Sequence, residues 1–250
     1  MQRVEISPKY EYLHDFIVSL PERMEREGDT LYAARNLIKV LRAPDGTLLN
    51  VKRYHSPSAV NALVYSTGVR KPKGERAFEY PQRLIAAGIE TPEAVAYIEN
   101  RRLGILRRSW FVSLQCPYAH RLYEVAEASP DLYEPLADAL AAMTARMHDA
   151  GILHRDFSPG NILWDVIGGE FRFSVVDINR MRFGRVPLAL GCANFARLWG
   201  PKAFFIRLAR AYARCRRLPE EECVSTVLEC RRRFWKHYVK GHHVPFELEF

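Results

Sequence analysis

His154, Arg155, Asp156 and Asn161 stand in the order H-R-D-x-x-x-x-N within Gly151-Ile-Leu-His-Arg-Asp-Phe-Ser-Pro-Gly-Asn-Ile-Leu-Trp. Further on, an apolar run ends in Val175-Val176-Asp177-Ile178-Asn179. An aspartate on a loop, an asparagine shortly after it and a second aspartate at a strand end are suited to phosphoryl transfer. That reaction asks little covalent chemistry of a protein; positioning and charge neutralisation supply most of the catalysis. Asp156 is placed to accept the proton of an acceptor hydroxyl. Asn161 follows Pro159, which stiffens the loop, and can turn back to a metal ion. Asp177 offers a carboxylate to Mg2+, a hard cation that takes oxygen ligands. Asp156 and Asn161 could instead be plain turn formers around Pro159-Gly160, a reading that the later strand-terminal Asp177 disfavours. His154 is read as a packed scaffold residue without a chemical role.

The elements that must hold these residues follow from periodicity. Tyr12, Phe16, Ile17, Leu20 and Met24 recur at roughly helical spacing and predict a helix over Tyr10–Glu27. Strands are predicted at Thr30–Arg35, Asn36–Leu41 and Thr47–Tyr54, the last two joined by the turn Ala43-Pro-Asp-Gly. A helix over Glu75–Ala87 follows, with Pro81 inside it as a kink, and then strands at Ala94–Glu99 and Ser109–Leu114. The second half reads as helices at Tyr133–Ala150, Pro201–Arg217 and Glu220–Tyr238, with short strands around Ile162–Trp164 and Phe173–Val176. A strand-rich part followed by a helix-rich part is the α+β pattern, divided near Cys116–Pro117.

Composition narrows the class. The chain has 250 residues, 48% of them hydrophobic and 26% charged, which excludes a disordered chain, a fibrous repeat and a disulfide-framed miniprotein. Its formal net charge of +8 favours anionic partners such as nucleotide phosphates, an acidic glycan or a membrane surface. No recognised nucleic-acid motif accompanies that charge, so nucleic acid is not expected. Cys116, Cys192, Cys215, Cys223 and Cys230 form no CxxC pair, and reduced thiols in a cytoplasmic chain are the simplest account. The opening MQRVEISPKYEYLHDF mixes charges without an apolar segment, so no signal peptide is expected. The most apolar stretch, Pro187 to Tyr212, is interrupted by Arg197, Lys202, Arg207 and Arg210, so no spanning helix is expected either.

The catalytic-loop pattern and Leu31-Tyr-Ala-Ala-Arg-Asn-Leu-Ile-Lys, Val51-Lys-Arg-Tyr, Ala87-Gly-Ile-Glu-Thr-Pro-Glu-Ala-Val-Ala-Tyr-Ile-Glu and Val176-Asp-Ile-Asn-Arg-Met carry a resemblance. From about Gly28 to Phe183 the chain resembles the lipopolysaccharide kinase (Kdo/heptose kinase) family of Gram-negative bacteria, within the protein-kinase-like superfamily. The resemblance implies a two-lobed fold: residues 1–115 as a nucleotide-binding lobe with an antiparallel sheet and helix, and 116–250 as a helical catalytic lobe. It implies ATP and Mg2+ as cofactors and a Kdo or heptose hydroxyl of the lipopolysaccharide inner core as acceptor. Lys52 looks like the third-strand lysine that contacts the α- and β-phosphates. Glu79, or else Glu75, would brace it. Leu114-Gln115-Cys116 would be the hinge that pairs with the adenine edge.

The sequence departs from protein kinases in three places. No G-x-G-x-x-G lies between the first two strands, the Asp-Phe-Gly triplet reads Asp177-Ile178-Asn179, and Ser158 replaces the lysine two after the catalytic aspartate. With no A-P-E and a short stretch from Arg180 to Leu190, a glycan acceptor fits better than a protein. The competing readings are a pseudokinase scaffold, for which the full set of Lys52, Asp156, Asn161 and Asp177 is needless, and an atypical protein kinase. Arg207, Arg210, Arg214 and Arg217 share one helix face, and Arg231-Arg-Arg233, Lys236 and Lys240 add a second basic cluster. A solvated face is the simpler reading of these. The functional alternative is an anion-binding surface for phosphorylated glycan or for anionic lipid headgroups, the latter at the inner face of the inner membrane.

Overall fold

Leu49 and Val51 face one way and Asn50 and Lys52 the other, and in the computed structural model, which describes residues 1–249, this run is a strand with its apolar face fully buried. The chain divides into two units, Met1–Arg83 with Pro92–Cys116, and Leu84–Thr91 with the chain from Pro117 onward. In the first, β1 (Gln2–Ile6) leads through a tight 3-10 turn (Pro8–Leu13) to α1 (His14–Arg26). Then come β2 (Asp29–Ala33), β3 (Leu37–Arg42), β4 (Leu48–Arg53), α2 (Ala59–Ser66), α3 (Lys73–Ala86), β5 (Ala94–Arg102) and β6 (Ile105–Leu114). The six strands make one antiparallel sheet in the order β1-β5-β6-β4-β3-β2.

Ile17, Leu20 and Met24, three and four residues apart on α1, are fully buried and join Leu49, Val51, Ile98, Trp110 and Val112 in one apolar core. Burying each such side chain contributes about 1.5–3 kcal/mol. The helix expected from Tyr10 starts only at His14. Pro8 opens a tighter turn, in which the Tyr10 amide bonds back to the Ser7 carbonyl at 2.8 Å. β1 and α2 are additions to the elements expected from the sequence.

In the second unit, β7 (His120–Arg121) leads through a 3-10 turn to α4 (Pro130–Asp149). β8 (Ile152–His154), β9 (Ile162–Ile167), β10 (Glu170–Val175) and β11 (Met181–Phe183) follow, in two small sheets ordered β10-β9-β7 and β11-β8. Next are α5 (Leu188–Ala193), α6 (Lys202–Arg216) and α7 (Glu220–Tyr238). Glu90 and Thr91 belong to this unit because they run beside β10. The Val175 amide donates to the Glu90 carbonyl at 2.9 Å, and the Thr91 hydroxyl to the Val175 carbonyl at 2.7 Å.

Leu136 and Leu140 of α4 and Phe204 and Leu208 of α6 are fully buried where these helices pack. A polar chain runs through the same core. Arg216 donates to the Tyr212 hydroxyl at 2.6 Å, and that hydroxyl donates to His148 Nδ1 at 2.7 Å. His148 Nε2 donates to Asn194 Oδ1 at 3.1 Å, and Asn194 Nδ2 donates to the His154 carbonyl at 2.9 Å. Burial pushes the His148 imidazole down to about 4, so it stays neutral and the chain keeps one direction of donation. A side-chain carbon at Gly191 would lie 2.1 Å from the Tyr212 hydroxyl oxygen, so only glycine fits against this chain.

The basic helix face has a different character from the one its composition suggests. Arg207 pairs with Asp138 at 2.6 Å and with Glu134, Arg210 with Glu221 at 3.3 Å and Arg214 with Glu220 at 3.3 Å, which makes it a mixed-charge surface. Arg231, read as part of a second basic cluster, is 2% exposed. It donates to the carbonyls of Gly200 at 3.1 Å and Glu249 at 2.5 Å and lies over the Phe205 ring. Among the described residues no helix is long and apolar enough to cross a membrane.

Candidate active site

The first unit carries the residues assigned to the nucleotide. Lys52 is half-buried on β4, between Ile38 of β3 and Phe111 of β6 in the sheet register, with its ammonium 5.3 Å from the centre of the Tyr54 ring. Alternation on β4 sends it to the face opposite Leu49 and Val51. Glu75 and Glu79 lie one helical turn apart on α3, and Lys71 serves both, bonding Glu79 and lying 3.8 Å from Glu75. Glu75 is the more enclosed, its side chain 15% exposed against 38% for Glu79, and burial raises its carboxyl above the usual range. At the end of β6 the Leu114 amide bonds the Glu93 carbonyl at 3.0 Å. Gln115 is fastened at both ends: its amide to the Leu48 carbonyl at 2.9 Å and its side chain to the Cys116 carbonyl at 3.1 Å.

The second unit carries the loop expected to be catalytic, which lies between β8 and β9. His154 is fully buried and bonds across the loop twice. Its Nε2 donates to the Val176 carbonyl at 2.9 Å, and its Nδ1 accepts from the Asp156 amide at 3.1 Å. Those two bonds require the neutral ring, and burial lowers its pKa in the same sense. The loop then closes on itself. The side-chain amide of Asn161 donates to the Asp156 carbonyl at 2.8 Å, and the Val176 amide bonds the Asn161 carbonyl at 3.0 Å. With its nitrogen committed, Asn161 leaves its amide oxygen as the end that can face a cation. Tyr123 packs over the loop so closely that a side-chain carbon at Gly160 would lie 2.6 Å from its hydroxyl oxygen.

Asp177 follows β10 in the left-handed region, φ 56° and ψ 41°, which asparagine and aspartate tolerate better than other side chains with a β-carbon. The side-chain amide of Asn179, itself buried, donates to Asp177 Oδ1 at 2.5 Å and orients the carboxylate. This is the place that Asn179 takes in the Asp-Ile-Asn triplet. A carboxylate and an amide oxygen are hard donors of the kind Mg2+ takes from a protein when phosphates and water complete its shell, so the residues present fit that ion.

Two residues that the sequence reading did not single out touch Asp156. Arg197 bonds its Oδ1, and Arg180 Nη1 lies 3.6 Å from its Oδ2. In a chain with 37 lysines and arginines, residue type alone could not mark these two. Arg180 stands at the end of the 3-10 turn Ile178–Arg180, and Arg197 at the end of Asn194–Arg197, with its guanidinium 5.5 Å from the centre of the Phe234 ring.

The family model for "Lipopolysaccharide kinase (Kdo/WaaP) family" matches residues 42–198, a span that holds every residue named above for nucleotide, metal and acceptor. Among solved structures, WaaP in complex with acyl carrier protein is similar with a TM-score of 0.63 and 21% identity, over 94% of this chain and 99% of that one. That similarity shows the fold: the expected α+β, kinase-like architecture is the one this chain has. The Rio2 kinase of Chaetomium thermophilum, in an ADP/Mg2+-phosphoaspartate complex, gives a TM-score of 0.48 and 16% identity over 95% of this chain and 65% of that one. Among curated proteins none matches in sequence.

Proposed function

The chain belongs to the lipopolysaccharide kinase (Kdo/WaaP) family and is a kinase, and from that premise we propose that it moves the γ-phosphoryl group of ATP, with Mg2+, to a Kdo or heptose hydroxyl of the lipopolysaccharide inner core. The observation that carries this reading is the self-closed loop, which presents the Asp156 carboxylate and the Asn161 amide oxygen from one turn, with Asp177 held by Asn179 beyond the next two strands. Asp156 accepts the proton as the sugar oxygen attacks in line; the bond from the γ-phosphorus to the bridging oxygen of ADP breaks as the new phosphorus–oxygen bond forms. Asn161 and Asp177 would hold Mg2+, which when bound neutralises phosphate charge. Lys52 would grip the α- and β-phosphates. Its brace is Glu79 if that carboxylate leaves Lys71, or the more enclosed Glu75. Leu114 and Cys116 would offer backbone groups to the adenine.

In this reading the first unit binds nucleotide and the second carries acceptor and metal, at the cytoplasmic side where ATP is found. The WaaP structure contains an acyl carrier protein, and we carry that partner to this chain as a proposal to be checked by co-elution. The direct test is thermal unfolding with and without ATP and Mg2+, followed by phosphate transfer to Kdo- and heptose-bearing core oligosaccharides. A ligand present at 100 times its Kd adds about 2.7 kcal/mol to stability. A Mg2+-dependent shift that is lost in Asp177→Ala, together with transfer to a sugar, supports the reading. Absence of any shift at millimolar ATP favours the pseudokinase instead.

A further inference from the structure

Asp156 must expose a carboxylate oxygen to accept a hydroxyl proton, yet both of its oxygens face arginines. Arg197 bonds Oδ1 and Arg180 stands 3.6 Å from Oδ2. The carboxylate is 22% exposed, whereas the side chains of Arg180 and Arg197 are 58% and 45% exposed, so the two guanidinium groups form the solvent side of the cluster. Both side chains reach solvent. Arg180 ends a short 3-10 turn, and the other contact described for Arg197 is its approach to the Phe234 ring. Two cations converging on one carboxylate are more than a single general base needs. Guanidinium groups bind carboxylates and phosphates through the same planar fork.

We infer that Arg180 and Arg197 are the acceptor-recognition residues, and that the acceptor carries an anionic group, a carboxylate or a phosphate, beside the hydroxyl that is phosphorylated. The incoming anion exchanges with Asp156 for the arginines. Binding the correct acceptor therefore uncovers the base in the same step that seats the hydroxyl against it. A neutral sugar has nothing to offer the arginines and meets an Asp156 that is still engaged. Selectivity in this scheme arises from the exchange. The inference rests on the sugar-kinase reading above and specifies its substrate class.

The test uses two matched acceptor pairs with the full chain and ATP: a Kdo glycoside with its methyl ester, and a heptose phosphate with the unphosphorylated heptose. The wild type is expected to favour the charged member of one pair by about tenfold or more in kcat/KM, and the favoured pair tells carboxylate from phosphate. In Arg197→Gln and Arg180→Gln that ratio should fall towards one, mainly through a higher KM for the charged member, with unfolding midpoints that verify folding. Equal use of charged and neutral members by the wild type overturns the inference. So does a ratio that survives both substitutions while overall turnover falls, because the arginines would then only position Asp156. Transfer to none of the four acceptors, with ATP binding intact, overturns the sugar-kinase reading together with this one.

Discussion

The two units hold the residues proposed for nucleotide and for acceptor by different means. In the second, His154, Asn161 and the backbone around Asp156 and Val176 are tied by hydrogen bonds between 2.8 and 3.1 Å, several of them to main-chain groups in the interior. Breaking one strands a buried donor or acceptor, at about 1–3 kcal/mol each. In the first unit, Glu75 and Glu79 are gathered by the half-exposed Lys71, and contacts of that kind contribute about 0–1 kcal/mol. The difference teaches where the site can adapt. The loop backbone that carries the proposed base and metal ligands is set before any ligand arrives, whereas the charges proposed for the phosphates can exchange partners when a nucleotide brings its own.

The contrast breaks most visibly at the base. Asp156→Ala should lower kcat by about 10²–10⁴-fold, the usual worth of a general base, while ATP-induced thermal stabilisation persists; near-normal turnover would remove Asp156 from its role. A smaller effect probes the rigidity behind the loop through pH. The folded His148 sits near 4 and the unfolded one near 6.5, so the unfolded chain takes up the proton first. The stability contributed by the neutral ring is whole above pH 6.5, declines as the pH falls from 6.5 to 4, and is gone below. The full loss is about 3 kcal/mol. Urea unfolding at pH 7 and pH 4.5 should show this dependence flattened in His148→Gln. Next, Gly191→Ala forces a β-carbon against Tyr212 and should cost about 1–3 kcal/mol in the same assay. The smallest effect sharpens the picture on the first unit: Lys71→Ala should change stability by less than about 1 kcal/mol. Beside it, Glu75→Gln and Glu79→Gln compared for ATP affinity identify the brace, since only loss of the carboxylate that serves Lys52 should raise the Kd.

Much of this was legible in the sequence because it is local. The alternation of Leu49 and Val51 with Asn50 and Lys52 placed β4 and its two faces, and the spacing from His154 to Asn161 marked the loop. β1 escaped notice because an edge strand that mixes Arg3 and Glu5 with Val4 and Ile6 buries too little to show a pattern. Arg231 did leave a signal. Val224, Val227, Arg231 and Trp235 recur at helical spacing, so the arginine lies on the buried stripe of α7 and not on its basic face. The neutralised face of α6 was not legible. The partners of Arg207 are Glu134 and Asp138, about seventy residues away in sequence, and only the packing of α4 on α6 brings them together. Arg180 and Arg197 escaped for the same reason: they meet at Asp156 from two separate turns.

The left-handed backbone of Asp177 has a consequence for how this protein would fail in a cell. Glycine and asparagine are at ease at φ 56°, and neither carries a charge. A change of Asp177 to asparagine keeps an oxygen for the Asn179 amide and would leave the fold close to its present stability, while removing the carboxylate proposed for the metal. Chaperones and proteases sort chains by the fraction unfolded. Such a variant would therefore accumulate to full abundance as an inert protein, so a defect at this position would escape quality control and have to be detected by assaying the product.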